Sequence, residues 1–259
     1  MSQSSSFVPY IQAKRHTQTL SLVGFEMLAR RVEPDGSVSP PSHFMQTLAD
    51  PAKRRPLLLD LLEATLSGVA RDLMRHSLSL AINLESDDCS DPGYLGEILA
   101  ITGKHLFPNA LLTIELSERT GLSTKEADRL VLIDFIAHGP RLSIDDFGVG
   151  ATKLSDVLSL PVSEIKIDRS LLLGSHGSRE TLLNGLCTVA RAVGAVSVIE
   201  GVETENDLRL AKAVGADVVQ GFLTGPPMPI PLEAHLSFLT QGMAGNQHVV
   251  VDSQRSMAA

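Results

Sequence analysis

The chain has 259 residues, enough for one large domain or two small ones, and its 43% hydrophobic content and mean hydropathy of +0.12 make a sizeable core available. Lys and Arg number 22 against 30 Asp and Glu, a net charge of −8, which argues against binding to nucleic-acid polymers but admits a small phosphate ligand if a metal supplies positive charge. With 4% aromatics and no Trp there is no stacking platform for single strands. The opening Met-Ser-Gln-Ser-Ser-Ser is not a signal peptide, and no apolar run approaches the roughly 18 residues that span a bilayer, so no membrane contact and a cytoplasmic location are expected.

Residues 7–12 predict a first strand, with Pro9 suited to an edge or an irregular start, and 22–30 a second. The stretch 33–41 is rich in Pro, Gly, Asp and Ser and reads as a loop; Ser42 then caps a short helix to residue 50. Leu58, Leu61, Leu62, Leu66, Val69 and Leu73 have helical spacing over 55–76, with Pro56 in the first turn. From there one unit repeats. Strand 78–84 precedes helix 92–107, and strand 111–116 precedes helix 124–138, capped by Ser123 and stopped by Gly139-Pro140. Strand 141–146 precedes a short helix over 151–158. Strand 164–168 precedes helix 179–193, where Cys187 reads as a buried thiol; with Cys89 it forms no CxxC pattern, which fits a reducing compartment. Strand 195–200 precedes helix 205–214, and strand 217–222 a last helix near 232–239.

Such alternation demands a mostly parallel sheet, and eight strands in roughly 235 residues fit the α/β class as a (β/α)8, TIM-like barrel whose first strand is modified. A doubly wound open sheet competes. It lacks a GxGxxG after an early strand, and it would gather polar strand ends at one switch point. The barrel domain is expected over residues 7–241, between a flexible start at 1–6 and a polar tail at 242–259.

Seven apolar runs end in a polar or charged residue: Glu26, Asn83, Glu115, the pair Asp145 and Asp146, Lys166, Glu200 and Gln220. Any one of them alone reads as a salt bridge or a hydrogen-bonded strand end. At corresponding positions on successive strands they read as one site at a barrel mouth. Alternation turns Glu26 inward while Phe25 and Met27 face the helices; it does the same for Glu115 and Lys166. Asp145 and Asp146 would diverge in an ideal strand, but Gly148 and Gly150 just beyond let the backbone bring both to one cluster. Clustered carboxylates need compensation, and an all-oxygen ligand set selects magnesium or manganese over zinc. Two such cations at one site suit phosphate-ester hydrolysis, with Lys166 placed to orient or deprotonate water or to hold phosphate. His43, His76, His105, His138 and His176 fall at no ligand spacing and are expected to be non-catalytic.

Together these segments resemble the EAL domains, bacterial phosphodiesterases acting on cyclic di-GMP. The resemblance runs from about Phe7 to Leu239. The name motif stands as Glu26-Met27-Leu28-Ala29-Arg30, followed by Asn83-Leu84-Glu85, Glu115-Leu116-Ser117-Glu118, Asp145 to Gly150, Ile165-Lys166-Ile167-Asp168-Arg169, Glu200-Gly201-Val202-Glu203-Thr204 and Gln220-Gly221-Phe222. The resemblance implies that Glu26, Asn83, Glu115, Asp145 and Asp146 hold two Mg2+ or Mn2+ ions. It implies Lys166, Glu200, Glu26 and Asp146 as the catalytic set, and contacts to substrate from Arg30, Leu28, Gln220 and Asp168. It implies loop anchoring by Glu118 and Glu203, a homodimer, and conversion of cyclic di-GMP to linear pGpG. Regulation would come from expression level, oligomeric state or a separate protein partner. Where the family usually has Tyr-Gln-Pro-Ile in its first strand, Phe7-Val8-Pro9-Tyr10 stands here, without the glutamine; Ala151-Thr152-Lys153 replaces the usual serine pair. A module that binds cyclic di-GMP or a protein without turnover, and a barrel hydrolase for another phosphodiester, are the alternative functions.

Overall fold

The computed structural model describes residues 6–39, 41–117, 125–149, 154–173 and 176–230. The expected cap at Ser123, the last helix near 232–239, the substitutions at 151–153 and the polar tail lie outside them.

The barrel forms as expected, with one difference in its first strand. β1 (Ser6–His16) runs on past residue 12, and β2 (Leu22–Val32) returns antiparallel beside it. β4 (Ser79–Leu84), β5 (Leu112–Ser117), β6 (Arg141–Phe147), β7 (Val162–Ile167), β8 (Val196–Ile199) and β9 (Val218–Gln220) follow in parallel order from β2. β1 then pairs antiparallel with β9, and the ring closes with eight strands. Two-residue strands β3 (Val38–Ser39) and β10 (Met228–Pro229) extend β2 and β1 at the margin. Strand–helix alternation therefore starts at β2, because a tight turn between residues 16 and 22 leaves no length for a crossover helix.

The first long helix, α1 (Pro51–Arg75), starts earlier than its apolar spacing suggested. The Asp50 carboxylate accepts from the Ala52 N–H, and Pro51 sits where its missing N–H costs nothing; this stronger start signal leaves Pro56 inside the helix. The stretch before it, expected as a short helix, forms two 3-10 turns, Pro41–His43 and Met45–Ala49, too short to nucleate an α-helix. α1 lays Leu61, Leu62, Leu66, Val69 and Leu73 on the barrel. α2 (Pro92–Lys104), α3 (Glu126–Ala137), α4 (Leu154–Leu158), α5 (His176–Ala192) and α6 (Glu205–Ala213) complete the outer layer. Outward strand residues such as Phe25, Met27, Ile114 and Ile165 are buried against this layer, and Cys187 is indeed a buried thiol.

The interior is unlike the usual barrel filling of branched apolar side chains. Lys14, Glu26, Thr113, Glu115, Ser143, Lys166 and Gln220 are all buried. Registry explains their grouping. Gln12 lies opposite Glu26, Lys14 opposite Gln220 and Gly24, Asn83 beside Glu115, and both Glu115 and Glu164 beside Ser143. In-register neighbours share a face, so these side chains converge on the axis.

Candidate active site

Lys166 is the hub. Its Nζ lies 2.8 Å from Glu115 Oε2, 2.9 Å from Asp145 Oδ1, 2.7 Å from Glu200 Oε1 and 3.6 Å from Glu26 Oε2. Glu26 is held from two sides: Asn83 Nδ2 donates to Oε1 at 2.7 Å, and Gln220 Nε2 donates to Oε2 at 2.6 Å. The carboxylates of Asp145, Asp146 and Glu200 lie within 4.8 Å of one another. The expected residues from Glu26 to Gln220 thus meet in one place.

Local backbone accounts for each position. β2 does not end at Glu26; its pairing with β4 does, and beyond that point β2 is held by β1 and β3 alone. The β6–β7 ladder shifts register between Ile144 and Phe147, and Asp146 takes a left-handed conformation with φ 56°. This irregularity turns both aspartates to the mouth, where a regular strand would separate them. Past Glu200, Gly201 has φ 64°, and a Cβ there would lie 2.4 Å from the Arg169 side chain. Val202 is fully buried, Glu203 pairs with Arg169 at 2.6 Å, and Thr204 and Asp207 form the capping box of α6. One residue of that pentapeptide therefore reaches the acidic cluster, and the others fix the loop behind it.

A cleft of about 1160 Å3 opens over the mouth. Glu26, Asn83, Asp145 and Asp146 form its floor, with Leu28 and Arg30 on one wall and Phe44, Met45 and Leu58 on an apolar side. Arg30 stacks over Tyr10 at 5.6 Å and donates to the Ala29 carbonyl at 2.8 Å. Asp168 does not line the cleft; its Oδ1 accepts from the Ser170 N–H at 2.7 Å. Glu118 lies outside the described residues.

Four participants escaped the sequence reading. A glutamine stands further along the first strand, as Gln12: its Oε1 accepts from Gln220 Nε2 at 3.2 Å, and its Nε2 donates to the Gly225 carbonyl at 3.1 Å. β1 extends to His16, so Gln12 lies inside the strand and not beyond its end. Lys14 Nζ lies 2.6 Å from Glu115 Oε1 and 2.7 Å from Glu164 Oε1, and Ser143 Oγ donates to Glu164 at 2.8 Å. Period-two spacing in Gln12, Lys14 and in Glu164, Lys166 was the available signal.

The electrostatics are unbalanced. Six carboxylates (Glu26, Glu115, Asp145, Asp146, Glu164, Glu200) surround two ammonium groups (Lys14, Lys166). Burial would raise Glu115, but Lys14 and Lys166 hold it down at about 2. Burial pushes Glu200 up to about 8 against the pull of Lys166, with Asp145 and Glu26 adding to the rise. Glu26 is raised by burial and by Glu115. Lys166 is held protonated despite its burial by Glu115, Glu200, Glu26 and Asp145. Fully ionised, the cluster carries four surplus negative charges, which two divalent cations would cancel. Asp145 Oδ1 is buried and accepts no hydrogen bond; its contact with Lys166 is ionic only. An all-oxygen donor set with a buried, unsatisfied carboxylate oxygen fits hard divalent cations.

The mouth of this barrel gathers carboxylates, two amides and a lysine from successive strand ends, a donor set of the kind that holds oxygen-bound metal. The chain belongs to the EAL domain family, which it matches over residues 1–227. It is 28% identical over 231 residues to the cyclic di-GMP phosphodiesterase RocR of Pseudomonas aeruginosa, covering 87% of this chain and 58% of RocR. It is 26% identical to the cyclic di-GMP phosphodiesterase PdeL of Escherichia coli K12, covering 88% of this chain and 64% of PdeL. The chain thus spans less than two thirds of either relative. Among solved structures, the PaMucR phosphodiesterase in complex with c-di-GMP superposes with a TM-score of 0.79 at 26% identity, covering 86% of this chain and 92% of that one. Among the described residues no helix is long and apolar enough to cross a membrane.

Proposed function

We propose that the chain hydrolyses cyclic di-GMP to linear pGpG, with magnesium or manganese held by Glu26, Asn83, Glu115, Asp145 and Asp146. The observation that carries this reading is the convergence of four carboxylates on Lys166 under a cleft walled by Arg30. When bound, the cations supply activation of water and neutralisation of charge on the phosphoryl oxygens. Arg30 binds a non-bridging phosphate oxygen. Lys166, kept as an ammonium, holds and orients the attacking water at Nζ. Glu200, whose carboxyl titrates near neutrality, exchanges a proton at Oε1. Gln220 and Asn83 fix the Glu26 carboxylate. One water is consumed and one phosphodiester opens, leaving the phosphate on the 5′ oxygen and a 3′ hydroxyl.

Glu203, paired with Arg169, anchors the loop after Glu200, and Leu28 completes the substrate contacts. A cytoplasmic location, a homodimer and a separate regulatory partner go with the family reading. One motive for the binding-only alternative is the altered first strand; Gln12, further along that strand and bonded to Gln220, weighs against that motive.

The test is incubation of purified protein with cyclic di-GMP and Mn2+ or Mg2+, with nucleotides resolved by chromatography. pGpG is expected from the natural chain and not from Glu26→Ala or Lys166→Ala. Binding without turnover in the natural chain overturns the reading.

A further inference from the structure

Lys14 is a fully buried ammonium outside the expected catalytic set, in a strand that sequence patterning did not extend so far. Its Nζ lies 2.6 Å from Glu115 Oε1, while Lys166 takes Oε2 at 2.8 Å. The two oxygens of Glu115 are therefore gripped by lysines from two different strands, β1 and β7. Lys14 is itself braced by Glu164 at 2.7 Å, which Ser143 Oγ holds in turn at 2.8 Å. Gly24, opposite Lys14 in register, carries no side chain, and the space its Cβ would fill is taken by Ser79 Oγ.

We propose that Lys14 is a positioning residue: it pins Oε1 of Glu115 and so presents Oε2 to the acidic cluster in one fixed orientation. This rests on Glu115 serving as a cation ligand. Two effects of Lys14 on cation affinity oppose each other. As a positive charge near the site it weakens binding; as the clamp on a ligand's outer oxygen it strengthens binding, since partners that orient a ligand typically contribute about 10–100-fold in metal affinity. The clamp dominates, because Glu115 is wholly buried and, among the described residues, no other side chain donates to Oε1.

The experiment is Mn2+ titration calorimetry on the full chain without nucleotide, alongside thermal unfolding of the metal-free proteins. The comparison is between Glu164→Gln and the double variant Lys14→Met with Glu164→Gln. The double variant removes one positive and one negative charge relative to the natural chain, so the net charge at the site is unchanged. We expect Glu164→Gln to bind Mn2+ within about threefold of the natural chain and the double variant to bind at least about tenfold more weakly. Loss of charge alone would move affinity the other way relative to Glu164→Gln. Lys14→Gln in the same background keeps an N–H donor beside Oε1, and its affinity is expected to lie between the two. Either Lys14 variant binding as tightly as Glu164→Gln, or more tightly, overturns the proposal. A natural chain that binds no Mn2+ overturns both it and the metal reading on which it rests.

Discussion

Raising the pH in the absence of divalent cations should destabilise this protein, against the usual behaviour of carboxylates. The Glu200 carboxyl is pushed from 4.5 up to about 8, first by burial and then by Asp145 and Glu26, with Lys166 opposing. Between those values the folded chain keeps a proton that the unfolded chain has released. The group's contribution to stability is therefore complete below pH 4.5 and lost as pH climbs through 8. From pH 5 to 8, at about 1.4 kcal/mol per unit, the loss is roughly 4 kcal/mol. For a chain of this size that corresponds to a fall in Tm of about 8–16 °C. Glu115 acts in the opposite sense, but its window, from about 2 to 4.5, is already passed. The assay is thermal unfolding in a chelating buffer at half-unit steps from about pH 5 to 8.5. Excess Mn2+ should flatten the decline by taking over compensation of the carboxylates, and Glu200→Gln should flatten it without metal. A metal-free Tm that stays level or rises over this range refutes the reasoning, as does a Glu200→Gln protein that keeps the full slope.

Two further predictions concern the frame of the site. Asp88 is fully buried and takes Arg54 at 2.8 Å and Arg55 at 2.8 Å, clamping the loop after β4 to the start of α1; Asp88→Asn should cost about 2–3 kcal/mol, read as a fall in Tm of about 4–12 °C. An unchanged Tm would show that the clamp contributes nothing. A Cβ on Gly221 would lie 2.2 Å from the Val202 carbonyl oxygen and 2.3 Å from its nitrogen, so Gly221→Ala must displace backbone on both sides. Its expected outcome is a fall in Tm of about 10 °C or more together with weakened Mn2+ binding, because Gln220 moves with Gly221; a soluble protein with native affinity would contradict the contact.

Glu26, Glu115 and Lys166 were legible because each sits on a strand between two apolar, outward neighbours. Ile114 and Leu116 around Glu115, and Ile165 and Ile167 around Lys166, define the face without any tertiary information. The turn of β1 into β2 was not legible. The linking Thr17-Gln18-Thr19-Leu20-Ser21 holds no Asn-Gly or Asp-Gly; Leu20 adopts φ 57°, and His16 Nδ1 accepts from the N–H groups of Gln18 and Thr19. A turn stapled by a side chain leaves no compositional mark, so the strand appeared to stop near Gln12 and Lys14 went unread. Gly148 and Gly150 suggested that the backbone could turn at the aspartates; the register shift that turns it belongs to the pairing of β6 with β7 and has no local signature.

The reversed first strand also sets when the site can come into being during synthesis. Gln12 reaches Gln220 across 208 residues of chain, and Glu26 reaches the same amide across 194. At about 5–20 residues per second a ribosome needs roughly 10–40 s to supply that partner. Until then β1 has only β2 to pair with, and the Glu26 carboxylate lacks one of its two amide donors. A nascent chain is therefore left with an open seam and an incomplete mouth, and neither closes before almost the whole domain has emerged.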